Sequence, residues 1–375
     1  MAARDRLGYE AALAAMGVCV ATRIPFLLWG EPGAGKTAVV ESATLSGWHV
    51  ETLICSHYEP SDFAGLPVVT KDGTVTLAPP GWAARVAGDA RRSIVFFDEW
   101  TTAAPAVQAA ALRPLTHGQV GSLQLPDRVS FGAAANPADV AASGWELAAP
   151  TANRFVHVDW ALPMDVFTES LVTGHWPSMT VPDLGPDNPA HLAATRGLVA
   201  GFLVARGAPL SSVPSDAASR GRAFPTPRTW DYTARLVALA RSQQMSPDVL
   251  RLLVHGAIGA PTGHEFLTWL AALDLPDPEW LLECVGAGQF TGMRPDRVYA
   301  SLQSVLAAVS STRTPERWTA AMAVCIAAAT EVGIDPAVPV VRSLLRGDNR
   351  PTGAPLPPGM TIFAAPLALA GLMPQ

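Results

Sequence analysis

"FLLWGEPGAGKTAVVES", residues 26–42, decides the fold. The apolar run Phe26-Leu27-Leu28-Trp29 stops at Gly30, and helix-forming residues take over after Thr37. The spacing Gly30, Gly35, Lys36, Thr37 fits G-x-x-x-x-G-K-[ST], a loop that cradles phosphate between a strand and a helix. Glycine lets such a loop turn at positive φ and lets successive N–H groups approach an anion. The helix that follows adds unpaired N–H donors and the positive end of its dipole. Glu31, Pro32, Gly33, Ala34, Gly35, Lys36, Thr37 and Ala38 are therefore the expected phosphate-binding residues. Lys36 is expected to reach the β- and γ-phosphates of a nucleotide, and the Thr37 hydroxyl to complete a Mg²⁺ shell.

Working outward, 375 residues suffice for two or three domains with real cores. A hydrophobic fraction of 49% against 15% charged residues excludes extensive disorder. A net charge of −6 argues against a dedicated nucleic-acid binder, which presents a basic face. Cys19, Cys55, Cys284 and Cys325 lie far apart with no C-x-x-C, so neither a zinc site nor a disulfide framework is expected. The first residues carry no charged-then-apolar leader pattern. The apolar stretches 321–330 and 362–373 are too short to span a bilayer, and Pro366 interrupts the second. These features imply a soluble, cytoplasmic protein with no membrane partner.

Residues 7–21 read as a helix. Strand-like runs recur at 49–54, 94–97, 129–134 and 155–158, without alternation, which is the mark of strands buried on both faces. Beyond Asp159 only helical spacing appears, at 190–206, 229–241, 247–255 and 298–308, with a Pro- and Ser-rich loop at 209–227. The expected organisation is an α/β core over 1–160, a helical lid over 161–290 and a helical C-terminal extension over 291–375.

"RRSIVFFDEW" (91–100) supplies the next chemical element, because its four apolar residues form a strand that delivers Asp98 and Glu99 to the carboxyl end of the sheet. Asp98 is expected to hold Mg²⁺, and Glu99 to accept a proton from the attacking water. "VSFGAAANP" (129–137) ends another strand at Asn136, whose amide is suited to orient that water and sense the γ-phosphate. Arg154 stands just before the next strand in "TANRFVHVDW" (151–160), and Arg228 at a helix start in "PTPRTWDYTARL" (225–236). A cation at a helix N-terminus opposes the dipole, and a bound phosphate would compensate it.

The order GEPGAGKT, IVFFDE, AAANP, NRF and PTPR resembles an AAA+ ATPase, and more narrowly the MoxR family. "EPSDFAGLPVVTKDGTVTLAPPGW" (59–82) carries a hairpin signal around Lys71-Asp72-Gly73 and is similar to the helix-2 insertion of MoxR, magnesium-chelatase and dynein-type members. "VQAAALRPLTHGQVGSLQLP" (107–126) resembles the helix and hairpin that precede the Asn strand in those members. The likeness covers residues 5 to about 240. It implies a P-loop core with a five-stranded parallel sheet between helices, followed by an all-helical lid, with ATP and Mg²⁺ bound between subunits of a ring, usually a hexamer. It further implies that Asn136 is the sensor, that Arg154 is the arginine finger reaching the neighbour's γ-phosphate, and that Arg228 is the second sensor on the lid. Whether Arg228 serves its own nucleotide or a neighbour's stays open, as does a part for Arg113 at the interface.

Three activities are compatible with such a motor. The first is an ATP-driven remodelling chaperone acting on protein clients, with a von Willebrand factor A-domain partner implied by the resemblance alone. Its physical motive is the pair of weakly charged hairpins. The second is a nucleic-acid motor, which would need basic hairpins; the first contributes only Lys71, and the second has no Lys or Arg between His117 and Leu125. The third is a metal-chelatase motor subunit. A scaffold that binds ATP and barely hydrolyses it is disfavoured by the intact Glu99.

Overall fold

The computed structural model describes residues 2–137, 144–185, 188–273, 275–286, 288–346, 349–351 and 354–368. The elements run α1 (Ala2–Thr22), β1 (Phe26–Trp29), α2 (Lys36–Glu41), β2 (His49–Ile54), α3 (Ser61–Ala64), β3 (Leu66–Val69), β4 (Val75–Ala78), α4 (Gly81–Gly88) and β5 (Ser93–Asp98). There follow α5 (Pro105–His117), β6 (Gln119–Val120), β7 (Leu123–Gln124), β8 (Val129–Ala135), α6 (Ala149–Ala152) and β9 (Val156–Asp159). Only helices come after β9 among the described residues. They are α7 (Met164–Thr173), α8 (Asn188–Arg206), α9 (Ala217–Arg220), α10 (Pro227–Ser242), α11 (Pro247–Ile258) and α12 (Ala260–Ala271). The last are α13 (Pro278–Glu283), α14 (Pro295–Ser311), α15 (Pro315–Val332), α16 (Val338–Leu345) and α17 (Ala364–Ala368).

Five strands form one parallel sheet in the order β2-β5-β8-β1-β9. The central strands are buried along nearly their whole length, which explains their unbroken apolar runs. Alternate residues sort to the two faces. Leu27, Trp29, Val95, Phe97 and Phe131 share one face with Trp82 and Val86 of α4 and with Val107, Ala111 and Leu115 of α5. This order places the loop after β1 between the carboxyl ends of β8 and β9, with β5 next beyond β8. The expected α/β class, with a five-stranded parallel sheet followed by helices, is the fold observed.

Two hairpins, β3–β4 and β6–β7, stand outside the sheet, where the sequence places them. They are tied together: the Ser122 N–H donates to the Leu77 carbonyl at 2.8 Å. Gly121, at φ 57°, makes the tie sterically possible, because a Cβ there would fall 2.6 Å from the same oxygen. Leu66, Val69 and Val75 on the first hairpin are exposed.

The chain divides into two compact units along lines other than the boundaries near 160 and 290. Residues 1–184 and 211–264 form one; residues 185–210 and 265–375 form the other. In the first, α10 and α11 pack against α1, and α11 also packs on β9, where Gly256 sits so close that a Cβ would meet the His157 carbonyl at 2.3 Å. In the second, α8 packs along α14, with Gly197 against Gln303, and α13, α15 and α16 close a core around Trp318, Met322 and Phe363. The loop expected over 209–227 contains the short helix α9, because the Asp216 carboxylate caps it by accepting from the Ser219 N–H at 2.8 Å.

Candidate functional site: a phosphate loop facing an acidic strand end

Gly33 and Gly35, at φ 78° and 77°, turn the loop between β1 and α2 through conformations other residues resist. Lys36 is buried at the start of α2. Its Nζ donates to the carbonyls of Gly30 (2.7 Å) and Glu31 (2.9 Å) and to Asn136 Oδ1 (2.9 Å). Burial lowers its pKa, and the nearby Asp98 charge works in the opposite direction. The Thr37 hydroxyl donates to Asp98 Oδ2 at 2.5 Å. Strand β1 supplies the loop, β5 the acids and β8 the amide, so three adjacent strand ends bring these groups together.

Glu99 follows at φ 54°, the left-handed region, with its N–H on Asp98 Oδ1 (2.8 Å). Its carboxylate accepts from the Ser56 hydroxyl at 2.7 Å. Ser56 lies in a short turn after β2, with α3 between it and the first hairpin. A cavity of about 350 Å³ is lined by Gly33, Gly35, Lys36, Thr37, Asp98, Glu99 and Asn136 together. Such a site can bind a polyphosphate and present one carboxylate to a water. Thr37 and Asp98 offer a hydroxyl and a carboxylate oxygen in contact, a hard donor pair that fits Mg²⁺ when phosphate oxygens and waters complete the shell.

The two arginines are not in this cavity. Arg154 donates through Nε to Thr116 Oγ1 at 3.0 Å and through a terminal nitrogen to the Pro150 carbonyl. Arg228 is close enough that its charge, after burial, is the next cause holding the Arg154 pKa below its ordinary value. No carboxylate hydrogen-bonds either guanidinium among the described residues. Neither Arg154 nor Arg228 lines the cavity that holds Lys36, and the Arg228 charge is felt at Arg154. Arg113, on α5, is exposed.

Several neighbours of the loop carry no motif and escape sequence reading. The Trp160 indole N–H donates to the Ala34 carbonyl at 2.8 Å, and its ring lies 4.9 Å from that of Tyr9. Tyr9, Asp159, Ala161 and Arg251 line a cavity of about 760 Å³ beside that brace. On the other side, the Trp29 indole N–H donates to His157 Nδ1 at 2.9 Å, leaving Nε2 to face the Ala152 carbonyl at 3.0 Å. Those partners fix a neutral imidazole.

Burial, reinforced by the Arg222 charge, holds the His157 pKa down to about 4. The unfolded chain therefore takes up a proton that the folded chain refuses. The associated stability is present above pH 6.5 and is lost as pH falls toward 4. We expect unfolding in denaturant to show a loss of about 2–3 kcal/mol from this group between pH 6.5 and 4.5. In His157→Gln, which has no titrating ring, the profile should flatten by that amount; an unchanged profile would assign the acid sensitivity to other groups.

No family model and no curated protein matches the chain. Among solved structures it is similar to the crystal structure of a "putative ATPase" from Cytophaga hutchinsonii, at 16% identity and a TM-score of 0.43, over 70% of this chain and 88% of that one. At that score the likeness carries no weight for activity or partners. The class is defined by the chain's own topology and site: an α/β protein with a five-stranded parallel sheet and a phosphate loop facing an acidic strand end. Among the described residues no helix is long and apolar enough to cross a membrane.

Proposed function

We propose that this protein is a cytoplasmic ATP-hydrolysing motor of the MoxR type that remodels protein complexes as a ring, a hexamer by resemblance. The observation that carries the reading is the convergence of Lys36, Thr37, Asp98, Glu99 and Asn136 on one cavity. Lys36 exchanges its carbonyl and amide partners for the β- and γ-phosphates. Thr37 and Asp98 hold Mg²⁺, which when bound neutralises charge on the phosphates. Glu99 takes the proton of the attacking water, and Asn136, released from Lys36, orients that water. The cavity beside Tyr9 and Trp160 is of a size to take the base.

The placement of Arg154 and Arg228 outside the cavity and without a carboxylate supports a site shared between subunits. Two guanidinium groups whose charges act on each other favour an anion between them, and a neighbour's γ-phosphate is one. On this reading both arginines act on the next subunit's nucleotide. The tied hairpins, with Leu66, Val69 and Val75 exposed, would contact a polypeptide client. A von Willebrand factor A-domain partner rests on the family resemblance alone, and co-purification from the native cell tests it.

The test of the site is Lys36→Ala. It should weaken ATP binding about 10- to 100-fold, the size of hydrogen bonds to a charged group. Titration calorimetry giving an unchanged ATP affinity would overturn the phosphate-site assignment.

A further inference from the structure

Among the residues lining the phosphate cavity, Lys36 is the one cation. A second cavity of about 320 Å³ meets the first at Asn136, which lines both, and its wall includes Trp29, Thr101 and Arg222. Arg222 follows α9 and is brought over the sheet's carboxyl edge. Its guanidinium lies 4.2 Å from the ring centroid of Trp29, the residue immediately before the loop. It also donates to Asp159 Oδ1 at 2.9 Å, at the end of β9. Neither contact is strong. The Arg222 side chain is 43% exposed and that of Asp159 83% exposed, and ion pairs in such surroundings contribute about 0–1 kcal/mol. The cation–π contact, with a buried ring and a partly exposed guanidinium, adds on the order of 1 kcal/mol. Arg222 is therefore a guanidinium held by weak contacts in a cavity whose wall it shares with Asn136, the residue whose amide bonds Lys36.

We propose that Arg222 contacts the terminal phosphate of the nucleotide bound at its own subunit's loop, leaving Asp159 to do so; the assignment rests on the nucleotide-site reading above. The physical reason is the difference in anions. Asp159 offers one charge in open water, whereas a γ-phosphate offers up to two, with three acceptor oxygens that a guanidinium fork engages bidentately. Trp29 keeps the guanidinium plane at the loop in either state. Because ADP lacks that phosphate, Arg222 would separate the triphosphate from the diphosphate state within one subunit. Arg154 and Arg228, outside the cavity, would act between subunits.

The experiment measures ATP and ADP affinities by calorimetry in a Glu99→Gln background, where ATP persists. Arg222→Gln should weaken ATP binding about tenfold, one charge-assisted hydrogen bond, and leave ADP within about twofold. Asp159→Asn, which removes the competing carboxylate, should strengthen ATP binding up to about fivefold relative to ADP, since any change at the base cavity that Asp159 also lines acts on both nucleotides alike, and serves should Arg222→Gln fail to fold. Equal losses for both nucleotides, or no change in either, would reduce Arg222 to a brace on Trp29. A Glu99→Gln parent that binds neither nucleotide would instead overturn the nucleotide site, and this assignment with it. Mixing Arg222→Gln with Glu99→Gln should add no turnover beyond the sum of the parts. Recovery there would place Arg222 at a neighbour's site and overturn the own-subunit assignment.

Discussion

Arg154→Ala is expected to bind ATP almost as the wild type does and to hydrolyse it about 10³–10⁵-fold more slowly, the effect of an arginine finger. The expectation follows from where the side chain lies. Arg154 does not line the phosphate cavity of its own chain, and a hydroxyl and a carbonyl are its hydrogen-bond partners among the described residues. A guanidinium so placed can stabilise charge on a phosphoryl group only when a second copy brings its nucleotide there. Mixing Arg154→Ala with Glu99→Gln should then restore part of the turnover, since one interface in a mixed ring joins an intact Glu99 to an intact Arg154. Wild-type specific activity should rise with protein concentration for the same reason. A surface role for Arg154 predicts a change of about 0–1 kcal/mol in stability and little in rate. Mixtures without recovery, together with concentration-independent turnover, would sink the shared site.

Glu99→Gln should keep ATP affinity and lower turnover about 10²–10⁴-fold, the contribution of a general base. The amide matches the carboxylate in shape and cannot accept the proton. Backbone geometry should survive the change, because the left-handed φ at Glu99 is held by its own N–H on Asp98, which the substitution leaves alone. The Ser56 hydroxyl can donate to an amide oxygen as it does to the carboxylate. Single-turnover hydrolysis within about twofold of wild type would move the base elsewhere.

Much of this site was legible because its chemistry is local. A phosphate loop needs glycines and a lysine at set offsets, so Gly30 to Thr37 could be read as a string, and the structure places that string between β1 and α2. The apolar run ending in Asp98-Glu99 announced a strand delivering acids to the same edge. Ser56, Tyr9, Trp160 and Arg222 were not legible. Each is a common residue type in an unremarkable context, and each matters only through a neighbour 43 or more positions away, such as Glu99 for Ser56 or Trp29 for Arg222. Helical spacing likewise says that α8, α10 and α11 are helices, not which core their apolar faces join.

The sequence by itself determined the parallel α/β class, the loop, the acidic pair, Asn136 and the two hairpins, because backbone propensity, hydrophobic period and motif spacing act over short stretches of chain. Only the tertiary structure decided which groups meet. It set Lys36 on Asn136 across 100 positions and Glu99 on Ser56. It left Arg154 and Arg228 out of the cavity around Lys36. It brought Arg222 over Trp29 and folded residues 211–264 back onto the sheet. Those outcomes depend on how buried faces pack and on which charges come within reach through a low-dielectric interior, and neither is written in any local run of residues.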